Sequence, residues 1–97
     1  MYGTVANIRV KAGQEDALFA VMEKWELERG SKVKGNLGGY LVRLDRDSQE
    51  MIMVAVFEDK ATYKANADDP EQDQWYQEMR QHLEADPQWN DGEIFPM

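Results

Sequence analysis

Apolar and polar positions change period repeatedly along this chain, and each change marks an element. Tyr2 to Val10 is rich in Val, Ile, Tyr and Thr and reads as a strand that ends at Lys11-Ala12-Gly13. From Gln14 to Arg29 the apolar residues Leu18, Val21, Met22 and Trp25 recur at helical steps, with Glu15, Asp16, Glu23 and Glu26 between them. That pattern predicts an amphipathic helix, with Gly30 available for the left-handed position after its last turn. Ser31 to Gly39 holds three glycines and reads as a loop. Gly39 to Asp45 and Glu50 to Glu58 read as strands joined by a turn at Asp47-Ser48-Gln49, hence an antiparallel hairpin.

Lys60 to Ala67 predicts a short helix. The stretch Asp69-Pro70-Glu71-Gln72 is a helix-start signal, because Asp69 can accept from free N–H groups, Pro70 suits the first helical position and Gln72 can close a capping box. This helix is expected to reach about Ala85 and to stop before Pro87, with a last short strand between Trp89 and Phe95. The order β-α-β-β-α-β, with one extra short helix, is the ferredoxin-like α+β arrangement, an antiparallel sheet with helices on one face. One domain over residues 1–97 is expected.

The alternation within the second and third strands changes the picture. Met51, Met53, Ala55 and Phe57 fall on one side, but Ile52, Val54 and Val56 are apolar on the other. A sheet with one wet face alternates more cleanly. A second copy covering the open face is therefore expected, giving a homodimer.

Charge narrows the ligands. The net charge is −8 and unevenly placed: Met1 to Phe57 carries 8 acidic and 8 basic residues, Glu58 to Met97 carries 11 acidic and 3 basic. Such a surface repels nucleic acids and polyphosphates, and tolerates neutral aromatics and cations. Without cysteine there is neither a disulfide nor a thiolate metal site. The chain opens on a strand pattern and holds no apolar run near the roughly 20 residues of a membrane span. A cytoplasmic protein without membrane contact is the expectation. Gly35, Gly38 and Gly39 lack the following helix and Lys of a phosphate loop, and the single His, His82, has no Cys or suitably placed Ser to activate. No metal ligand set is expected, since Asp68, Asp69, Glu71 and Asp73 surround a proline and a helix cap.

The element order, the entry Val10-Lys11-Ala12-Gly13 to the first helix, and the run Phe57-Glu58-Asp59-Lys60-Ala61-Thr62-Tyr63 resemble the antibiotic biosynthesis monooxygenase-type domains of the dimeric α+β barrel superfamily. The tail, from Tyr63-Lys64-Ala65-Asn66-Ala67 through Asp86-Pro87-Gln88-Trp89, is similar to a subgroup without an established activity. The resemblance implies a cofactor-independent monooxygenase acting on a quinone-like or polyketide aromatic, the substrate supplying the electrons. The alternatives are a non-catalytic dimeric barrel that binds a small hydrophobic ligand, or a haem-degrading monooxygenase.

Cofactor-independent chemistry of this kind needs a pocket that shields a phenolate or carbanion and donates hydrogen bonds to its oxygen. Candidate catalytic residues are Asn66, Trp75, Tyr76 and His82, and candidate substrate-binding residues are Asn7, Tyr63 and Arg43. Asn and Tyr suit an enolate oxygen, Trp suits stacking on a ring, and His or Arg suits proton relay or holding an anion. Haem-degrading members use an Asn on the first strand and a Trp and a His in the second helical region, for which Asn7, Trp75 and His82 are the counterparts here. Asn7 lies six residues before Gly13, one fewer than in those members, and one step along a strand turns a side chain to the other sheet face. Trp75 and His82 are also closer together than their counterparts, so no cofactor, haem included, is expected. Trp25 and Trp89 are read as core or dimer contacts, and the Met residues as core filler.

Overall fold

The computed structural model describes Met1–Met97. Its elements are β1 (Tyr2–Arg9), α1 (Glu15–Trp25), a π-helical turn (Glu26–Gly30), β2 (Asn36–Arg43), β3 (Glu50–Phe57), α2 (Lys60–Ala67), α3 (Pro70–Arg80) and β4 (Asp91–Glu93). The sheet order is β2-β3-β1-β4 with every neighbouring pair antiparallel, and α1, α2 and α3 lie on one face. This is the ferredoxin-like α+β fold that the element order predicts. No helix is long and apolar enough to cross a membrane.

Strand parity decides which residues meet the helices. Thr4, Ala6, Ile8 and Val10 alternate inward from β1 and its end, and Met51, Met53 and Phe57 do so from β3, all of them buried. They close on Leu18 of α1, Met79 of α3 and Leu83 just beyond it. Leu18 is fully buried, and replacing it with Ala is expected to destabilise the fold by about 2–5 kcal/mol through lost transfer energy and the cavity left behind. Urea denaturation followed by circular dichroism checks this through a lowered midpoint at unchanged slope.

The opposite parity stays outside. Three cross-strand rows cover the open face: Val5, Val54 and Tyr40; Asn7, Ile52 and Val42; Gly3, Val56 and Gly38. Tyr40 is 74% exposed, and Val5 and Val42 are exposed as well.

Local structure departs from the sequence expectations at four places. Gly30 does not cap α1 in a left-handed conformation: it closes the π-helical turn, is buried, and its carbonyl accepts from Asn36 Nδ2 at 2.8 Å. β2 begins at Asn36 inside the glycine-rich segment, with an irregularity in register between Asn36 and Gly38, where Gly38 takes a φ of 127°. The side chain of Gln72 closes no capping box; its Oε1 accepts from Trp25 Nε1 at 2.8 Å, while Asp69 does cap α3 by accepting from the Glu71 N–H. Finally, α3 stops at Arg80. Past it the backbone joins β1, with Lys11 N–H donating to His82 O, Glu84 N–H to Arg9 O, and Asn7 and Gln88 exchanging both bonds. These bonds to β1 satisfy groups that a longer helix would have paired within itself.

Candidate functional site

Between the sheet and the helices lies an open cleft of about 1060 Å³, bounded by the inward face of β1 to β3, by α1 and by the α2–α3 region. The fold positions its groups in three layers. At the floor, Thr4, Met53 and Phe57 project from the sheet by the same parity that builds the core. On the α1 side stand Trp25 and Trp75, rings 6.0 Å apart and tilted by 56°. Both indoles are anchored by their N–H groups, Trp75 donating to Val21 O at 3.2 Å and Trp25 to Gln72. On the side of the chain end, Tyr76 and Trp89 pack at 6.1 Å and 44°.

A polar constellation sits beside the floor. Asp59 caps α2 by accepting from Thr62 N–H at 2.8 Å, which sets the helix phase so that Tyr63 and Asn66 both reach the cleft. Tyr63 packs against Phe57 and Tyr2 and donates its hydroxyl to Asp91 at 2.9 Å. Burial, then the bond to Asp91 and the charge of that carboxylate, push the Tyr63 phenol up to about 12. Burial also raises Tyr76. Thr4 Oγ1 lies against the Tyr63 phenol, yet it is buried without a well-formed hydrogen bond.

The Tyr63 shift has a direct consequence. The native state holds the neutral phenol more firmly than the unfolded chain, whose tyrosines lose their protons near 10, so this contribution to stability is complete below pH 10 and is lost between 10 and about 12. An ultraviolet titration of tyrosinate absorbance is expected to show a late-ionising tyrosine that disappears in Tyr63→Phe.

Asn66 is held by an unusual neighbour. Arg29, in the π-helical turn, has a side chain only 16% exposed; its guanidinium pairs with Asp69 and Glu71 at the start of α3 and donates to Asn66 Oδ1 at 3.3 Å. With the oxygen so engaged, the amide orientation is set, and Asn66 Nδ2 has no partner within the chain. Asn66 is one of the residues that line the cleft.

The structure brings Asn66, Trp75, Tyr76 and Tyr63 to one cavity and leaves three candidates outside it. Asn7 stands on the open sheet face, opposite the helices, as its parity relative to Ala6 and Ile8 requires. Arg43 lies at the far end of β2 with its guanidinium 5.8 Å from the Phe19 ring centre. His82 follows α3, and its Nδ1 shares a 3.0 Å hydrogen bond with Gln14 Oε1. The cleft lining therefore contains neither imidazole nor thiolate to hold a haem iron. Trp25, Trp89, Thr4 and Asp91 also line the cleft, and the sequence reading gave none of them a site role. The pairing of Tyr63 with Asp91 and of Tyr76 with Trp89 arises only when β4 and the segment before it lie beside β1.

A ferredoxin-like sheet with an aromatic-walled cleft beneath its helices defines a two-layer α+β domain whose cleft lies between the layers. The chain belongs to the antibiotic biosynthesis monooxygenase family, whose model matches residues 1–78. Solved structures agree on the fold. A protein from Bordetella bronchiseptica, provisionally described as an antibiotic biosynthesis monooxygenase, is 17% identical and superimposes with a TM-score of 0.84 over 98% of this chain and 97% of its own. SnoaB, a cofactor-independent oxygenase from Streptomyces nogalater crystallised as an asparagine-to-alanine mutant, is 12% identical with a TM-score of 0.85, covering 99% of this chain and 94% of its own. A conserved protein from Methanosarcina mazei shares 12% identity at a TM-score of 0.82, over 94% and 89% of the two chains. None of the curated proteins matches the chain by sequence.

Proposed function

We propose that the chain is a cofactor-independent monooxygenase that oxidises a quinone-like or polyketide aromatic in the cleft between sheet and helices. The observation that carries this reading is Asn66, whose Oδ1 is held by Arg29 and whose Nδ2 has no partner within the chain, in the lining of a cavity walled by Trp25, Trp75, Tyr76 and Trp89. Flat aromatic walls accept a polycyclic ring, and an oriented N–H donor stabilises the oxygen on which negative charge develops. Family membership and the fold shared with SnoaB support it.

For an anthrone-type substrate the chemistry balances without any further redox partner. The ring methylene loses a proton to solvent at the open mouth of the cleft, and Asn66 Nδ2 donates to the resulting enolate oxygen. The enolate carbon reduces dioxygen and bonds to it, and proton uptake gives a hydroperoxide. The second hydrogen then leaves that carbon as the O–O bond breaks, so one oxygen stays as a carbonyl and the other departs as water. Tyr63 is spoken for by Asp91, so its phenol acts as an acceptor in the lining instead of a proton source. Trp75 and Tyr76 hold the ring plane.

The working unit is a homodimer in which a second copy covers the open sheet face. The rows containing Val5, Val54, Tyr40, Ile52 and Val42 form a contiguous apolar surface, and soluble monomers rarely leave more than a few hundred Å² of such surface in water.

Oxygen uptake with an anthrone or a naphthohydroquinone, without added metal or flavin, tests the proposal. A rate above the uncatalysed oxidation is expected. Tight binding of the aromatic with no oxygen uptake would replace the enzyme by a ligand-binding barrel.

A further inference from the structure

The cleft differs in charge from the rest of the surface, and the difference is not explained by pairing. Eight ion pairs engage Arg9, Lys24, Arg29, Arg46 and Arg80, and none of them involves a carboxylate of the cleft. Glu23, Glu26, Asp68, Asp73 and Asp91 line the cavity against a single cation, Lys64. Asp91 accepts from the Tyr63 hydroxyl, and the other four make no side-chain hydrogen bond within the chain. The same lining holds the indoles of Trp25, Trp75 and Trp89, whose faces carry the negative side of the ring quadrupole. A second, independent observation at this site is the Thr4 hydroxyl, on a residue that lines the same cavity at 2% exposure: it lies against the Tyr63 phenol without a well-formed hydrogen bond.

Resting on the reading of this cleft as the substrate site, we infer that its ligand is an aromatic bearing a protonated amine, with the ring between the tryptophans and the ammonium group toward Asp68 and Asp73. Carboxylates and indole faces both favour a cation, and both disfavour the carboxylate- or phosphate-bearing aromatics that an apolar cleft of this size would otherwise accept. The carboxylates stand exposed along the cleft, so their field is strongest at low salt and is weakened by added ions. The aromatic body supplies affinity, and the charge supplies selection.

A matched series separates the two contributions: 2-naphthylmethylammonium, 2-naphthylmethanol and 2-naphthylacetate, titrated against the intact protein by tryptophan fluorescence and calorimetry at neutral pH. The ammonium compound is expected to bind about tenfold more tightly than the alcohol at low salt, with the carboxylate weakest, and its advantage is expected to shrink as salt screens the rim. In the double variant Asp68→Asn, Asp73→Asn the ammonium compound should fall to the affinity of the alcohol, while the alcohol binds as before. Equal affinity across the series, or tightest binding by the carboxylate, overturns the inference and leaves the cleft standing as an aromatic site. If none of the three binds, the reading of the cleft as an aromatic site fails, and the inference goes with it.

Discussion

Asn66→Ala is expected to lower the rate of oxygen uptake by about 10²–10³-fold with little change in KM, the loss that follows removal of one donor from a developing oxyanion. The split between kcat and KM is diagnostic, because the Asn66 amide contributes most when charge has moved onto the substrate oxygen and little to holding the ring. Stability should change by no more than about 1 kcal/mol, since the side chain is half-buried and gives up one long hydrogen bond from Arg29. Asn66→Asp sharpens the test: it keeps an oxygen for Arg29 and replaces the donor by a second anionic oxygen, so it should be as inactive as Asn66→Ala while folding as well as the natural chain. Full activity in both variants would remove Asn66 from the chemistry.

Val54→Lys is expected to convert the protein to a folded monomer. Val54 lies at the middle of the open face between Val5 and Tyr40, outside the helix-side core, so a lysine there can extend into water in an isolated chain. Between two copies the same residue brings two ammonium groups into an apolar interface without partners, which costs several kcal/mol, on the order of a hundredfold or more in the dimer Kd. Sedimentation velocity across micromolar concentrations reads the change directly, with circular dichroism confirming the fold. A natural chain that sediments as a monomer at those concentrations would sink the dimer.

Much of the fold is legible in the chain because its elements carry their own local signals. The short helix Lys60–Ala67 agrees with its expected bounds, and Asp59 supplies a cap ahead of it. Asp69 and Pro70 start α3 as their chemistry dictates. The failures lie where long-range bonds outweigh local preference. The residues after Arg80 continue a helical pattern, but their backbone groups pair with Arg9 and Lys11, seventy or so positions earlier in the chain. Asn36 to Gly38 read as loop from the glycines around them, yet pairing with Phe57 and Val56 makes them strand, and the next residue, Gly39, is pressed close enough to Val54 O that an added Cβ would stand 2.7 Å from it. No local rule marks the π-helical turn, which carries Arg29 to Asn66.

The site divides in the same way. Asn66, Trp75 and Tyr76 are legible as aromatic and amide chemistry on the second helical region, close together in sequence. Thr4, Trp25, Trp89 and Asp91 come from both ends of the chain and from α1, and they meet only through sheet order and helix packing. For Asn7 the signal was present: the alternation Thr4, Ala6, Ile8, Val10 assigns the inward face, and an odd-numbered residue of β1 belongs to the other.

The irregularity between Asn36 and Gly38 also bears on how copies of the chain can join edge to edge. β2 is an outer strand bearing the exposed apolar residues Leu37, Tyr40 and Val42, the composition that invites strand-by-strand accretion of further chains. A strand that breaks register near its start and passes through a glycine at positive φ offers a row of N–H and C=O groups shortened to the regular stretch that ends at Arg43 for an incoming strand to copy. Growth along the sheet edge is thereby blunted, and the proposed pairing through the open face would be broadside, one closed pair instead of an endless ribbon.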